Sequence, residues 1–364
     1  MTDISSVRVG IVGLGNIGHH HADRLVNLDA NLVGGMDIQP AALTRFEEKY
    51  GVAVYDDVED LLAEVDAVII TTPNRFHVDS AIAALDAGVD VLLEKPLAND
   101  LASAKRIAAA ARESDAFCMV GFNNRFANAV EVVKGMQAEG RFGDIQHVEA
   151  NYVRRRGIPG RGSWFTKRDI SGGGSLIDLG VHAIDLALYF LDYPEIVEVA
   201  GQTRSEFGSR EDYVFFEMHG TDVGPEGFDV DDSVSAFIRC ADGSTINLEV
   251  AWATNRPPTN DFYIRGTDAG ALFDRGEQTL TLYEAETTGA DHFSDTEVST
   301  KRNDTHQTEQ AHFLAAVVEG ERPAINTIEQ GLAVQRVIDA IYRSAESGAA
   351  VALEPSDVSA AQLD

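Results

Sequence analysis

The sequence predicts an α/β protein in two parts. A doubly wound parallel-sheet domain comes first, at about residues 1–124. A C-terminal α+β domain with a large, open, mostly antiparallel sheet follows at 125–364. Three observations predict this. Gly13-Leu14-Gly15-Asn16-Ile17-Gly18 lies between an apolar β-branched run and a helical pattern. Strand and helix patterns then alternate to about residue 124. After Arg125 the texture becomes short β-rich runs joined by turn signals such as Ala241-Asp242-Gly243-Ser244.

In order along the chain, Val7–Val12 reads as a buried parallel strand, and the glycine run as the turn into a helix reaching Leu28. Glycines there permit a tight turn and close approach of backbone to a pyrophosphate, and the helix N-terminus offers free N–H groups to the anion. Asn31 to Met36 reads as the second strand. It ends in Asp37, nineteen residues past Gly18, where a carboxylate would bind ribose hydroxyls. Asp37, with no Arg or Lys in Ile38-Gln39-Pro40, favours NAD over NADP. His19, His20 and His21 point in different directions on a helix, so they do not read as a metal site; His21 is expected beneath the loop and the others in solvent.

Ala67–Thr72 reads as a strand, His77–Ala87 as a helix, Val89–Leu93 as a strand, Leu101–Arg112 as a helix and Phe117–Val120 as a strand. Ligands of doubly wound sheets bind at the carboxyl ends of the strands. Thr71, Thr72, Pro73, Asn74, Glu94, Lys95, Pro96, Asn123 and Arg125 fall there. Lys95, between Glu94 and Pro96, is the only lysine between positions 50 and 104.

In the second part, Ala129–Ala138 reads as a helix and Ile145–Arg154 as a strand. Ser175–Leu191 reads as an apolar helix after Gly172-Gly173-Gly174, with Asp178, His182 and Asp185 on one stripe. Two carboxylates and an imidazole on such a face imply a use or a partner. Strands are expected at 195–203, 233–239, 245–254, 261–265, 271–273 and 280–284, a solvated acidic loop at Gly208–Gly227, and helices at 308–317 and 329–347. Helices within about 305–348 are expected to pack back on the first domain. So wide a sheet with few covering helices leaves a face to bury, which predicts an oligomer.

The chain holds 29 basic and 59 acidic residues, net charge −30, with only six lysines. Such a surface repels nucleic acid and anionic membranes. No apolar run approaches the roughly 18 residues of a membrane span. The start, Met1 to Ser6, reads as no signal peptide, so a cytoplasmic protein is expected. Cys118 and Cys240 stand alone, without metal or disulfide spacing.

Taken together, Gly13 to Gly18, Thr71-Thr72-Pro73-Asn74 with His77, Glu94-Lys95-Pro96, and Gly172-Gly173-Gly174 through Asp178, His182 and Asp185 resemble the glucose–fructose oxidoreductase, inositol dehydrogenase and rhizopine-catabolism (Gfo/Idh/MocA) family, from Val7 to about Val351. The resemblance implies a Rossmann domain and an open-sheet domain, NAD(P)-dependent oxidation of a sugar, anhydrosugar or polyol, and a homodimer or homotetramer formed through the sheet. It implies Lys95, Asp178 and His182 as a catalytic trio. Asp185, Arg125, Tyr152 and Arg154 would lie against the substrate. Gly13, Gly15, Asn16, Ile17, Gly18, Asp37, Thr71, Thr72, Pro73, Asn74, His77, Glu94, Lys95 and Asn123 would lie against the cofactor. Inositol-type members present His and Asn where Tyr152 and Arg154 stand, which points away from an inositol. One guanidinium of Arg154-Arg155-Arg156 could read a substrate carboxylate or a dense set of hydroxyls.

Three competing readings are a metal-dependent hydrolase using the Asp–His–Asp stripe, an NAD-binding sugar sensor, and an NAD-dependent glycosidase. The first leaves the glycine loop and Asp37 without a role. Sensors of this fold tend to lose the lysine or histidine, and the glycosidases have Thr-His-Gly surroundings absent around His182.

The acid excess predicts a protein of a salt-accumulating organism, because at about 1 M salt the Debye length falls to roughly 3 Å and self-repulsion is screened. The thermal midpoint should therefore rise between about 0.1 and 2 M KCl; a flat or falling curve removes that reading.

Overall fold

The computed structural model describes residues 3–215 and 220–354. Part of the loop expected at 208–227 thus lies outside the described residues. The chain divides into two compact units, Met1–Asn123 with Asp304–Gln335, and Asn124–Asn303 with Arg336–Asp364.

The first unit holds a six-stranded parallel sheet. Its strands are β1 (Arg8–Val12), β2 (Asn31–Met36), β3 (Ala53–Tyr55), β4 (Ala67–Ile70), β5 (Asp90–Glu94) and β6 (Cys118–Gly121), in the order β3-β2-β1-β4-β5-β6. Every residue of β4 is buried, as expected of a strand covered on both faces. Between the strands run α1 (Asn16–Asn27), α2 (Pro40–Tyr50), α3 (Val58–Leu62), α4 (His77–Asp86) and α5 (Leu101–Glu113). Local chemistry fixes their ends. Pro40 opens α2, Gly51 closes it at φ 68°, and Asp100 caps α5 by accepting from Ser103 N–H.

The second unit holds α6 (Asn128–Ala138), β7 (Ile145–Val153), α7 (Arg168–Ser171), α8 (Val181–Phe190), β8 (Ile196–Arg204), β9 (Ser233–Cys240), β10 (Thr245–Ala251), β11 (Asp261–Gly266), β12 (Ala269–Asp274), β13 (Thr279–Glu286) and β14 (His292–Val298). Helix α9 (Thr305–Glu319) belongs to the first unit, α10 (Ile328–Ser347) runs through the break at Gln335, and β15 (Val351–Ala352) closes the second unit. The nine strands order as β14-β13-β12-β11-β7-β10-β9-β8-β15. Only β7 and β10 pair in parallel; the other neighbours are antiparallel. Along β9, Val234, Ala236, Ile238 and Cys240 are buried while Phe237 and Arg239 are exposed, the period-two pattern of a sheet with one covered face. The expected fold class is the observed one.

Inside this unit Arg125 and Asp185 are both about 1 % exposed and 2.5 Å apart, and Tyr193 donates to the same carboxylate at 2.9 Å. Arg125 also reaches the Tyr193 hydroxyl and lies over the Tyr189 ring at 4.7 Å. Each charge is the other's compensation, since a buried charge without a partner is costly.

Candidate active site

The nucleotide side is built at the carboxyl ends of β1, β2, β4 and β5. Gly13 has φ 96°, and a Cβ there would stand 2.8 Å from Thr72 N. A Cβ on Gly18 would stand 2.2 Å from Gly13 O, so the first turn of α1 packs on the loop as only glycine permits. Gly15 is different: nothing lies within 4 Å of its Cβ position. It is the N-cap of α1 with no side-chain cap, leaving first-turn N–H groups open. Ile17 beside it is 45 % exposed, and Asn16 is exposed. Thr71 Oγ1 donates to Gly13 O at 2.5 Å. The Asp37 carboxylate accepts from Leu14 N and Gln39 N, each at 2.8 Å, which fixes it at the end of β2. An open cradle, uncapped N–H groups and a fixed carboxylate suit the pyrophosphate and ribose of a dinucleotide.

At the end of β5, Glu94 is held by His21, whose Nε2 is 2.7 Å from Oε1, and accepts the Lys95 N–H at 3.1 Å. Burial pushes the Glu94 carboxyl up, but the His21 hydrogen bond and the nearby His21, His306 and Lys95 charges outweigh it and leave it at about 2. Gln310 Nε2 lies 2.6 Å from His21 Nδ1. His306 is pushed down to about 3 by burial, against the pull of Glu94. His77 Nδ1 and Nε2 lie 2.9 Å from Pro96 O and Thr72 O, so this fully buried ring ties the loop after β4 to the loop after β5. Asn74 and Asn123 are buried, and Asn123 donates to Thr305 Oγ1 at 2.7 Å. Pro73 caps the short 3₁₀ turn Asn74–Phe76. From Val91 to Ala98 only Lys95 keeps partial exposure.

In the second unit the glycine run makes room for backbone. A Cβ on Gly173 would stand 1.9 Å from Tyr342 Oη, and one on Gly174 1.9 Å from Asp231 O. Asp231 accepts from Gly174 N (2.9 Å), Ser175 Oγ (2.8 Å), Leu176 N (2.9 Å) and Tyr342 Oη (2.7 Å). From this anchor runs a π turn, Leu176–Gly180, before α8. Between Ser175 and Leu188 only Asp178 and His182 keep partial exposure. Trp252 Nε1 donates to Asp178 Oδ2 at 2.9 Å.

Several expectations need correction. The segment from Ser175 is not one regular helix, because the π turn changes the pitch. Its three polar residues also part company: Asp178 meets Trp252, while Asp185 is closed off against Arg125 and Tyr193. Substrate contact by Arg125 and Asp185 does not fit side chains so fully enclosed by each other. His19 and His20 are half-buried rather than solvated: His19 lies 3.3 Å from Tyr50 Oη, and His20 meets His306 edge-on. In the Arg154–Arg156 cluster, Arg155 is exposed and Arg156 donates to the carbonyls of Arg155 and Thr254. Arg154 lies 5.6 Å from the Tyr152 ring centre.

Sequence reasoning missed Trp252, Asp231, Gln310 and His306. One signal was visible: Val230-Asp231-Asp232-Ser233 sets two acids against an apolar strand. Among the described residues no group of His, Cys, Asp and Glu comes together to hold a metal ion, and no helix is long and apolar enough to cross a membrane.

Comparison with known proteins gives the family. Residues 7–122 match the model described as "Oxidoreductase family, NAD-binding Rossmann fold", and residues 130–272 match the GFO/IDH/MocA C-terminal domain. A D-glucoside 3-dehydrogenase of Escherichia coli (strain K12) is 30 % identical over 96 % of this chain and 98 % of its own length. A D-xylose 1-dehydrogenase (NADP(+)) of Haloferax volcanii is 29 % identical over 95 % of this chain and 99 % of its own. A solved levoglucosan dehydrogenase, in complex with NADH, shares the fold at TM-score 0.82 and 24 % identity, covering 96 % of this chain and 99 % of that one. The chain belongs to the Gfo/Idh/MocA oxidoreductase family.

The depressed His306 gives the first unit an acid sensitivity. A neutral ring in the fold that charges at 6.5 when unfolded makes the unfolded state bind more protons, so stability is lost as pH falls from about 6.5 toward about 3. Glu94 adds loss only below its ordinary 4.5, toward about 2. The urea midpoint of the protein should fall between pH 7 and about 5, and His306→Gln should flatten that fall; an unchanged slope in the variant would dismiss the assignment.

Proposed function

We propose that this chain oxidises a hydroxyl of a sugar, anhydrosugar or sugar-derived polyol, with Lys95, Asp178 and His182 as its catalytic trio. The observation that carries the reading is shared by both units. In two segments otherwise buried, the side chains that keep exposure are Lys95 in one and Asp178 and His182 in the other. Packing alone would put apolar residues there.

The roles follow from ordinary chemistry. His182 takes the proton of the substrate hydroxyl, because an imidazole titrates near the working pH. Lys95, as ammonium, holds the same oxygen and stabilises the charge that develops on it. Asp178, fixed by the Trp252 indole, orients its partners in the trio. A bound nicotinamide supplies the hydride acceptor. Gly13, Gly15, Asn16, Ile17, Gly18, Asp37, Thr71, Thr72, Pro73 and Asn74 form the proposed dinucleotide site, with His77, Glu94 and Asn123 as its supports. The Asp37 carboxylate, with no cation following it, supports NAD over NADP by repelling a 2′-phosphate. The acidic surface supports a cytoplasm rich in salt.

Lys95→Ala and His182→Ala should each slow NADH formation from the substrate by about 10² or more, the usual scale for a lost acid–base group, while NAD binding followed by fluorescence persists. Near-normal turnover in either variant would refute the trio, and faster turnover with NADP would refute the cofactor choice. The open sheet carries Phe237, Tyr263 and Tyr283 at 38–40 % exposure, which supports a homodimer or homotetramer through that face. Sedimentation should give such a species; a monomer at micromolar concentration in molar KCl would exclude it.

A further inference from the structure

The two most deeply buried arginines of the second unit each have a carboxylate: Arg125 has Asp185, and Arg161 has Asp222 at 2.8 Å. Arg154 and Arg275, both half-buried, have no carboxylate ion pair among the described residues. Arg275 lies in the turn between β12 and β13. Its guanidinium sits 4.1 Å over the centre of the Tyr152 ring and donates to the amide oxygens of Asn260 (2.9 Å) and Asn124 (3.1 Å). Arg154, two residues after Tyr152 in the chain, reaches the same ring at 5.6 Å. It donates to Gly157 O at 3.2 Å and more weakly toward Tyr152 Oη at 3.5 Å. Every acceptor is neutral, in a chain with twice as many acids as bases.

Two cations against one ring repel each other and are partly stripped of water. A planar fork aimed at neutral acceptors keeps its charge available for a bidentate oxyanion. Tyr152 reports that field: burial raises its phenol, but Arg275 and Arg154 outweigh this and hold it below its ordinary range. The Asp178 carboxylate acts electrostatically on both Tyr152 and Arg275, so the cluster adjoins that member of the proposed trio within the same unit.

We propose that Arg275 and Arg154, which both lie against Tyr152, form an oxyanion-reading subsite, and that the preferred substrate is a sugar carrying a carboxylate or a phosphate. This rests on the sugar-oxidising reading above and narrows it.

The test titrates the NAD complex by calorimetry with a hexose, the matching hexuronic acid and the hexose 6-phosphate, and follows NADH formation with each. The expected result is at least one anionic sugar bound about tenfold or more tightly than the hexose, the scale of a hydrogen bond to a charged group. Arg275→Met should abolish most of that preference, and Arg275→Lys should restore part of it. The better of the two anions identifies carboxylate or phosphate. If Arg275→Met does not fold by circular dichroism, Arg154→Met makes the same comparison. The inference is overturned if the hexose binds as well as both anions, or if the Met variant weakens all three ligands equally. Tight anionic binding without any NADH would instead overturn the dehydrogenase reading and leave the subsite standing.

Discussion

The buried carboxylate of Asp231 is the contact on which the π turn and helix α8 of the second unit depend. It accepts from two backbone N–H groups, a serine hydroxyl and a tyrosine, while its own carbonyl takes the Ser175 N–H at 2.9 Å. A helix start leaves several N–H groups without partners, and burying them unsatisfied would cost more than the turn could return. Gly173 and Gly174 exist because this anchor approaches so closely that no Cβ fits. With its beginning pinned, the chain can take the wider π turn. Such single turns are strained relative to α-helix and recur at functional sites. Here the turn sets Asp178 toward Trp252 and leaves His182 at the start of α8.

The first unit solves the same problem with different groups. Lys95 follows a fully buried strand end, and its N–H is taken by the Glu94 carboxylate, which is in turn held by His21 and backed by Gln310. His77, whose pKa burial pushes down, lies between the carbonyls of the two neighbouring loops and has one N–H to donate to them. Hydrogen bonds among buried polar groups are strengthened by the low dielectric around them, and a chain of them favours one geometry. Backbone around Lys95 is therefore held rigidly while its side chain stays accessible.

Much of this was legible from residue order. The strand–glycine–helix pattern, the period-two strands and the joint motifs gave the fold class, and β2 was bounded correctly because its apolar run ends at a charged residue. The passed-over elements fail in two ways. Helix α2 carried a readable signal, Pro40 at its start and Gly51 at its end, but only Ala42 and Phe46 are buried, too thin a stripe to stand out. Strand β14 has no apolar alternation at all; its residues are mostly exposed and it exists through backbone pairing with β13. The site was less legible than the fold. A stripe of Asp178, His182 and Asp185 presumes 3.6 residues per turn, and sequence periodicity carries no sign of a π turn. Nor can it reveal that Asp185 meets Arg125, sixty positions away.

The charge distribution carries one more step. With 59 acids against 29 bases, an arginine in this chain can find a carboxylate at little conformational cost, and the most enclosed ones have done so. Arg154 and Arg275, like Arg156, instead rest on amide, hydroxyl and carbonyl oxygens, a departure from the easy solution. Neutral acceptors orient a fork without cancelling its charge, whereas a carboxylate would do both. Exposure separates Asp185 from Asp178. A carboxylate locked to an arginine contributes to the fold and is unavailable for chemistry. Asp178 keeps partial exposure and accepts the Trp252 indole N–H. Full enclosure against a buried arginine thus marks Asp185 as part of the fold, whereas partial exposure leaves Asp178 within reach of a ligand.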